Sequence, residues 1–489
     1  MRQSFSELFA IDTRTLALFR IALAALVFFD LADRSTSLAF DYTDAGAVPT
    51  STRGVFGPAL TIHWWSGAWA YQAGLLAVHA LAALALGLGF RTRAAAALCW
   101  LLTTSLHFRN PLIGDAGDAV ARMLLLWSIF LPLGARASLD ALRAGRGAEP
   151  PARVASVATA AVMLQVVLLY FVAGVTKSGP EWIEGTAVAA ALDNHYWTRP
   201  LGERLLDHPS LLETLTFGSR ALEVFGPLLL FVPVWTAAVR SAVLLAFWGF
   251  QLGLATTIEL HLFPLFSSCA TLVFVPASWW GRIRPGAAQR GADAGREEPV
   301  PMAPRSARDR IAGGVVGALL VANLALAADC LGWLRIPLAA DAAARSLGLF
   351  QCWSLYAPRP PEFDRHFRIL GVVADGGGRV ELVASDGATA ATGDPGGAWR
   401  DVVSHHASYR FKYALERLMR PDSAVEPWRR TYLDWMCRSW NATHPDRPLE
   451  RVVFTATARP TRTVRRGTPI RPEIVAQIPC PPPSQPSLP

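Results

Sequence analysis

Two lysines, Lys177 and Lys412, stand among 46 basic side chains, and every other cation is an arginine. A guanidinium stays protonated in protein surroundings, whereas an ammonium gives up its proton more readily once desolvated. A chain written in arginine therefore has a chemical reason to keep lysine where a neutral amine is useful. Lys177 ends an apolar run, which equally suits a side chain snorkelling to a membrane surface. Trp182 and Glu184 follow it closely. Other polar groups also border apolar runs: Ser105 to Pro111, which holds His107, Arg109 and Asn110; then Asp115 and Asp118; Asp193 to Trp197, which holds His195; and Glu259 to His261. Polar groups at membrane depth are costly unless paired or facing water, so these are candidates for one outward-facing substrate pocket.

Each candidate also has a purely structural reading. His107 with Arg109 and Asn110 can cap a helix end, and Asp118 in a first turn favours the helix dipole. Glu181 and Glu184 are spaced to pair with Lys177, which would keep its amine from acting as a base. His195, Tyr196 and Trp197 equally resemble an interfacial aromatic belt.

The elements that must hold these residues are membrane helices. The 489 residues are 52% hydrophobic and only 17% charged, outside the ordinary soluble range. Apolar runs of spanning length fall near 15–33, 69–90, 93–108, 119–135, 154–176, 219–236, 238–258, 261–280 and 311–332. They predict an all-α polytopic membrane protein of about eight to nine transmembrane helices. Arginines concentrate in alternate connections: Arg91 and Arg93; Arg136 to Arg153; Arg240; and seven between Arg282 and Arg310. The net charge of +8 thus reads as inside-positive topology, and no nucleic-acid-binding motif accompanies it. With the N-terminus cytoplasmic, segments 34–68, 109–118, 177–218 and 259–260 face outward, and Lys177 lies at their level. The domain reading is a transmembrane domain over 1–280, a basic cytoplasmic linker over 281–310 and a final transmembrane helix over 311–332. A periplasmic α+β domain over 333–480 and a disordered tail over 481–489 complete it.

In that last domain, alternation over 366–373 and 379–383 around an Asp-Gly-Gly-Gly turn predicts a hairpin. Residues 451–457 predict a further strand, and 407–440 predict helix. Six cysteines are scattered without metal-ligand spacing, so no metal is expected. Cys352 and Cys437 would lie in an oxidising compartment, where they either pair or remain buried thiols.

The stretch Tyr170-Phe171-Val172-Ala173-Gly174-Val175-Thr176-Lys177, followed by Glu181-Trp182-Ile183-Glu184-Gly185, resembles the segment of vitamin K-dependent gamma-glutamyl carboxylases that carries their catalytic lysine. The wider chain is similar to the bacterial HTTM proteins, the horizontally transferred transmembrane domain group related to those enzymes. Asp12 to Arg20, Asp44 to Pro49, Ser105 to Pro111 with Gly117-Asp118, Phe130 to Gly134, Glu223 to Pro227 and Cys352 to Pro360 carry that likeness. The resemblance implies Lys177 as the base that deprotonates a reduced naphthoquinone or other quinol. Reaction with dioxygen then yields an epoxide and a strong base, with carboxylation of an acceptor as the coupled step. Two departures bear on that last step: Gly117-Asp118 stands where the carboxylases have an Asn-His pair, and Thr176 where they have a second lysine. The region after 332 is also smaller than the lumenal part that holds their protein substrates.

The enzyme reading expects Lys177 in a closed pocket sized for a bicyclic quinone, with no carboxylate in salt-bridge contact. Its partners would be membrane lipid, the quinol and an unknown acceptor, in the inner membrane of a bacterium. The alternative is a non-catalytic scaffold or a lipid- or quinone-binding protein with the same fold. A thiol relay lacks a Cys-x-x-Cys motif, and a transporter lacks an inverted repeat.

Overall fold

A computed structural model describes residues 5–55, 61–145, 151–283, 300–301, 307–376, 378–384, 408–420, 425–461 and 472–480. The expected tail, most of the linker (284–299 and 302–306) and Gly377 of the expected turn lie outside the described residues. Among the described residues, nine helices occupy the apolar runs: α1 Thr13–Ser35, α2 Trp69–Leu88, α3 Thr92–Arg109, α4 Ala116–Ser128, α5 Val157–Thr176, α6 Pro209–Leu229, α7 Thr236–Thr257, α8 Phe263–Thr271 and α9 Ala307–Cys330. Among the described residues, α1, α2, α5, α7 and α9 are long and apolar enough to cross a membrane. The other four are shorter or more polar, so these lengths give five candidate spans and not the expected eight to nine.

Local chemistry sets the helix ends. The Asp12 side chain accepts from the Arg14 amide to start α1, and reciprocal side-chain caps open α4 (Asp115 with Asp118) and α5 (Ser156 with Thr159). Gly89, at φ 67°, ends α2 in the left-handed conformation that a Cβ disfavours. Leucine and phenylalanine side chains such as Phe29, Leu81, Leu245 and Leu252 stay exposed on the outer faces, as lipid-facing positions would. Inside, Trp127 and Asn323 donate to Gln165 Oε1 at 3.2 and 2.8 Å, and Gln165 Nε2 donates to Gln351 at 2.6 Å. This buried polar contact ties α4, α5 and α9 to the segment that follows α9.

After a helix over Leu338–Ser346, the described residues of the C-terminal region form a four-stranded antiparallel sheet with two further helices. Strands β1 Phe363–Val373, β2 Arg379–Ala384, β3 Leu449–Pro460 and β4 Pro472–Pro479 lie in the order β2-β1-β3-β4. The expected hairpin and third strand are present. The expected 407–440 helix is split into α10 Tyr409–Leu418 and α11 Glu426–Thr443. Phe40, from the short helix Leu38–Tyr42 that follows α1, packs edge-on against Phe411 and Trp435, both at 4.8 Å between ring centroids. Arg417 donates to the Pro111 carbonyl at 2.6 Å, and Lys412 to Glu259 at 2.9 Å. The domain therefore docks onto the loops that share one end of the helical region with Lys177.

Cys352 and Cys437 do not pair with each other. Cys330 at the end of α9 bonds to Cys352, and Cys437 on α11 bonds to Cys480 after β4, while Cys99 and Cys269 are buried thiols. The cause is topological. Cys437 faces the sheet-side core of the C-terminal domain, whereas Cys352 lies in the segment that runs back along the helices before β1.

Candidate functional site

Lys177 is the residue at which α5 ends, with ψ at 74° breaking the helix. It is 4% exposed, and its Nζ donates to Glu223 of α6, itself 4% exposed. Gly174 makes this approach possible. A Cβ there would stand 2.7 Å from Val224 Cγ2 and 2.9 Å from Glu223 Cβ, so only glycine lets the two helices meet so closely. The ammonium also faces the Trp182 ring, 4.9 Å from its centroid. The Trp182 indole is fixed in turn by donation to the Tyr356 carbonyl at 3.0 Å, and the Gly179 amide donates to the Pro358 carbonyl at 2.9 Å. Three parts of the chain thus close over one amine: the α5 end, α6 and the segment after Cys352.

The expected partners of Lys177 are overturned. The chain turns at 177–179 into the short helix Pro180–Ile183, which directs Glu181 toward Arg359 at 3.8 Å and leaves Glu184 exposed. Glu181 Oε2 is buried without a hydrogen-bond partner among the described residues. The expectation that no carboxylate touches Lys177 is also not met, because Glu223 does. His195 lies apart, exposed, with Asp193 at 3.8 Å and Glu203 at 3.7 Å. A cleft of about 960 Å³ lined by residues including Asp44, Thr50, Asp434 and Arg438 holds none of the candidate residues.

The second constellation gathers His107, Asp118 and residues that the sequence reading did not single out. Arg34 donates to Asp118 at 2.6 Å, to Asp30 at 2.8 Å and to the Tyr42 hydroxyl at 2.7 Å. From the C-terminal domain, Arg410 reaches Asp30, Asp33 at 3.1 Å and Asp118 at 3.4 Å. Burial alone would lower the Arg410 pKa, but the pull of Asp30, Asp118 and Asp115 outweighs burial and the repulsion of Arg34, and raises it. Arg122 donates to His107 Nδ1 at 2.8 Å, which leaves the Nε2 proton facing Asp118 at 3.5 Å, a distance too long for a good hydrogen bond. Asp30, His107 and Asp118 each bring one ligand atom within 4.8 Å of the others, as a cation could require. Their carboxylates already face Arg34 and Arg410, so the positive charge such a cluster needs is supplied by side chains.

Arg109 and Asn110 form a third, neighbouring group. Asn110 donates to the Asp41 carbonyl at 3.1 Å, and Arg109 stacks over Trp64 with its Cζ 4.3 Å from the ring centroid. Asp30, Arg34 and Glu223 lie within the helices α1 and α6, and the high cost of charge in such runs was the signal that could have found them. Arg410 carries no such signal, because it comes from a soluble-looking helix.

The family model for the HTTM domain matches residues 9–279, over half of the chain. No curated protein and no solved structure matches it.

Proposed function

Because the chain belongs to the HTTM domain family, we propose that it is a membrane enzyme in which Lys177 is the base that takes a proton from a lipid-soluble quinol. The observation that carries this reading is a buried lysine at the membrane-domain end that faces one indole; its contact with Glu223 departs from what that reading expects. Lys177 and Glu223 are joined by one hydrogen bond in a region of low dielectric. Such a contact exists either as an ion pair or, by one proton transfer along it, as a neutral amine facing a carboxylic acid. The second form presents a base. Glu223 thereby holds the proton that Lys177 must lose before it accepts another.

The local residues fit a dihydroxy aromatic in their chemistry: an amine and the flat face of Trp182. A bound quinol would supply reducing electrons and the acidic hydroxyl. This chain would orient it on Trp182, exclude water through the Tyr356 to Pro358 segment and take the proton at Lys177 Nζ. Carboxylation of an acceptor is the coupled step we extend from the carboxylase resemblance.

For sidedness, we place the C-terminal domain on the periplasmic face of a bacterial inner membrane. The disulfide inside it and the one that joins the end of α9 to Cys352 suit an oxidising compartment, and it docks on loops opposite the arginine-rich connections. The Lys177–Glu223 contact also favours a second reading, a non-catalytic scaffold in which the pair only joins α5 to α6. The two separate on incubation of the purified protein with vitamin K hydroquinone and dioxygen. Epoxide formed by wild type, lost in Lys177→Ala and kept in Lys412→Ala, supports the enzyme. No epoxide from wild type supports the scaffold.

A further inference from the structure

Arg109 is fully buried, and its Nε, Nη1 and Nη2 all lack a hydrogen-bond partner among the described residues. It stands in contrast to Arg34 and Arg410, which carry carboxylates on their guanidinium groups. A guanidinium has five N–H donors and a full charge, and burying these unpaired costs far more than burying a neutral amide. Water would satisfy the donors but leave the charge uncompensated; an anion does both. Trp64, itself buried and pinned by donation from its indole to the Phe108 carbonyl at 3.0 Å, covers one face of the guanidinium. With that face covered, the N–H groups lie along the edge of the guanidinium, a fork that matches a planar O–C–O group.

His63 adds a second unused group beside Trp64. Its Nδ1 lies 2.6 Å from Ser105 Oγ, and Thr61 Oγ1 donates to the Ser105 carbonyl at 2.6 Å. The ring therefore meets Ser105 through Nδ1 and leaves Nε2 as a buried atom with no partner among the described residues. Burial first, then Arg109 and Arg34, hold the His63 pKa down to about 3, so the ring is neutral at physiological pH and adds a polar group without adding charge. The acid that acts most on Arg109, Asp44, is exposed and spends its Oδ1 on the Thr50 amide at 2.6 Å.

We propose that Arg109, stacked on Trp64 beside His63, binds a small planar oxyanion of the carboxylate type. The same chemistry has two sources, hydrogencarbonate and the carboxylate of an organic acid. The test is equilibrium binding of radiolabelled hydrogencarbonate and acetate to the full chain in detergent at pH 8 and constant ionic strength, with no quinol present, so that its outcome is separate from the Lys177 reading. Wild type is expected to bind one anion per chain saturably, with affinity at least ten-fold weaker in Arg109→Gln and unchanged in the exposed-site variant Arg199→Gln. Arg109→Lys keeps the charge but not the fork. It should show the same loss, and it serves if Arg109→Gln does not fold. Binding of hydrogencarbonate alone supports the inorganic source, and comparable binding of acetate supports the organic one. The proposal is overturned by no saturable binding to wild type, by phosphate displacing both planar anions, or by undiminished binding in the Arg109 variants.

Discussion

The two lysines sit in matching company and differ in burial. Lys177 has Glu223 and the Trp182 ring; Lys412 has Glu259 at 2.9 Å and the rings of Tyr196 and Trp197 at 4.7 and 5.2 Å. Side-chain exposure is 5% for both members of the first pair and 23% and 30% for the second. Water screens the second pair and hydrates either partner if the other is lost, so it is a surface clasp between the C-terminal domain and the Glu259 loop. The first pair has no such recourse. Its partners depend on each other, because each leaves an uncompensated buried charge if the other is lost. Residue type is thus shared by the two regions, and burial separates a clasp from a candidate base.

The largest test of that contrast is Lys177→Met, which strands the Glu223 carboxylate in the bundle. We expect a loss of about 3–5 kcal/mol in denaturant unfolding, with most of it regained in Lys177→Met/Glu223→Gln, where neither charge remains. A single-variant loss no larger than that of Lys412→Met would erase the distinction. Next is Cys330→Ser/Cys352→Ser. It opens a closure of 22 residues and frees the segment whose Tyr356 carbonyl holds Trp182, for a loss of about 2–4 kcal/mol. Amine-reactive labelling of Lys177 should then rise relative to Lys412. Equal labelling before and after would mean that the segment does not shield the amine.

Gly174→Ala pushes a methyl group into Val224 and Glu223 and should cost about 1–3 kcal/mol by separating α5 from α6. Its thermal unfolding midpoint checks this, and no shift would show that the helices part freely. The smallest effect is expected from Lys412→Met, about 1 kcal/mol or less and shrinking further in high salt.

Much of the helical order was legible because apolar runs must bury or face lipid whatever their neighbours are. The α1, α2, α5, α7 and α9 boundaries follow from that rule and from cap residues such as Asp12, Ser156 and Gly89. The hairpin of β1 and β2 was legible from alternation and a glycine turn. Lys177, His107, Arg109, Asn110 and Asp118 were legible as costly polar residues, but their partners were not. Glu223 lies 46 positions from Lys177, and Arg410 lies 292 positions from Asp118. The same limit misassigned the cysteines, since Cys330 and Cys480 were each passed over for a partner in the wrong region.

By itself, then, the sequence determined which segments leave water, which residues resist doing so and which lysine ends an apolar run. Those properties are fixed by solvation, residue by residue. Tertiary structure alone decided that Lys177 meets Glu223 and not Glu181, that Arg410 enters the Asp30–Asp118 cluster and that Arg109 is left without a counterion among the described residues. Pairing depends on where helices cross, and a crossing such as that at Gly174 is set by packing between segments distant in the chain.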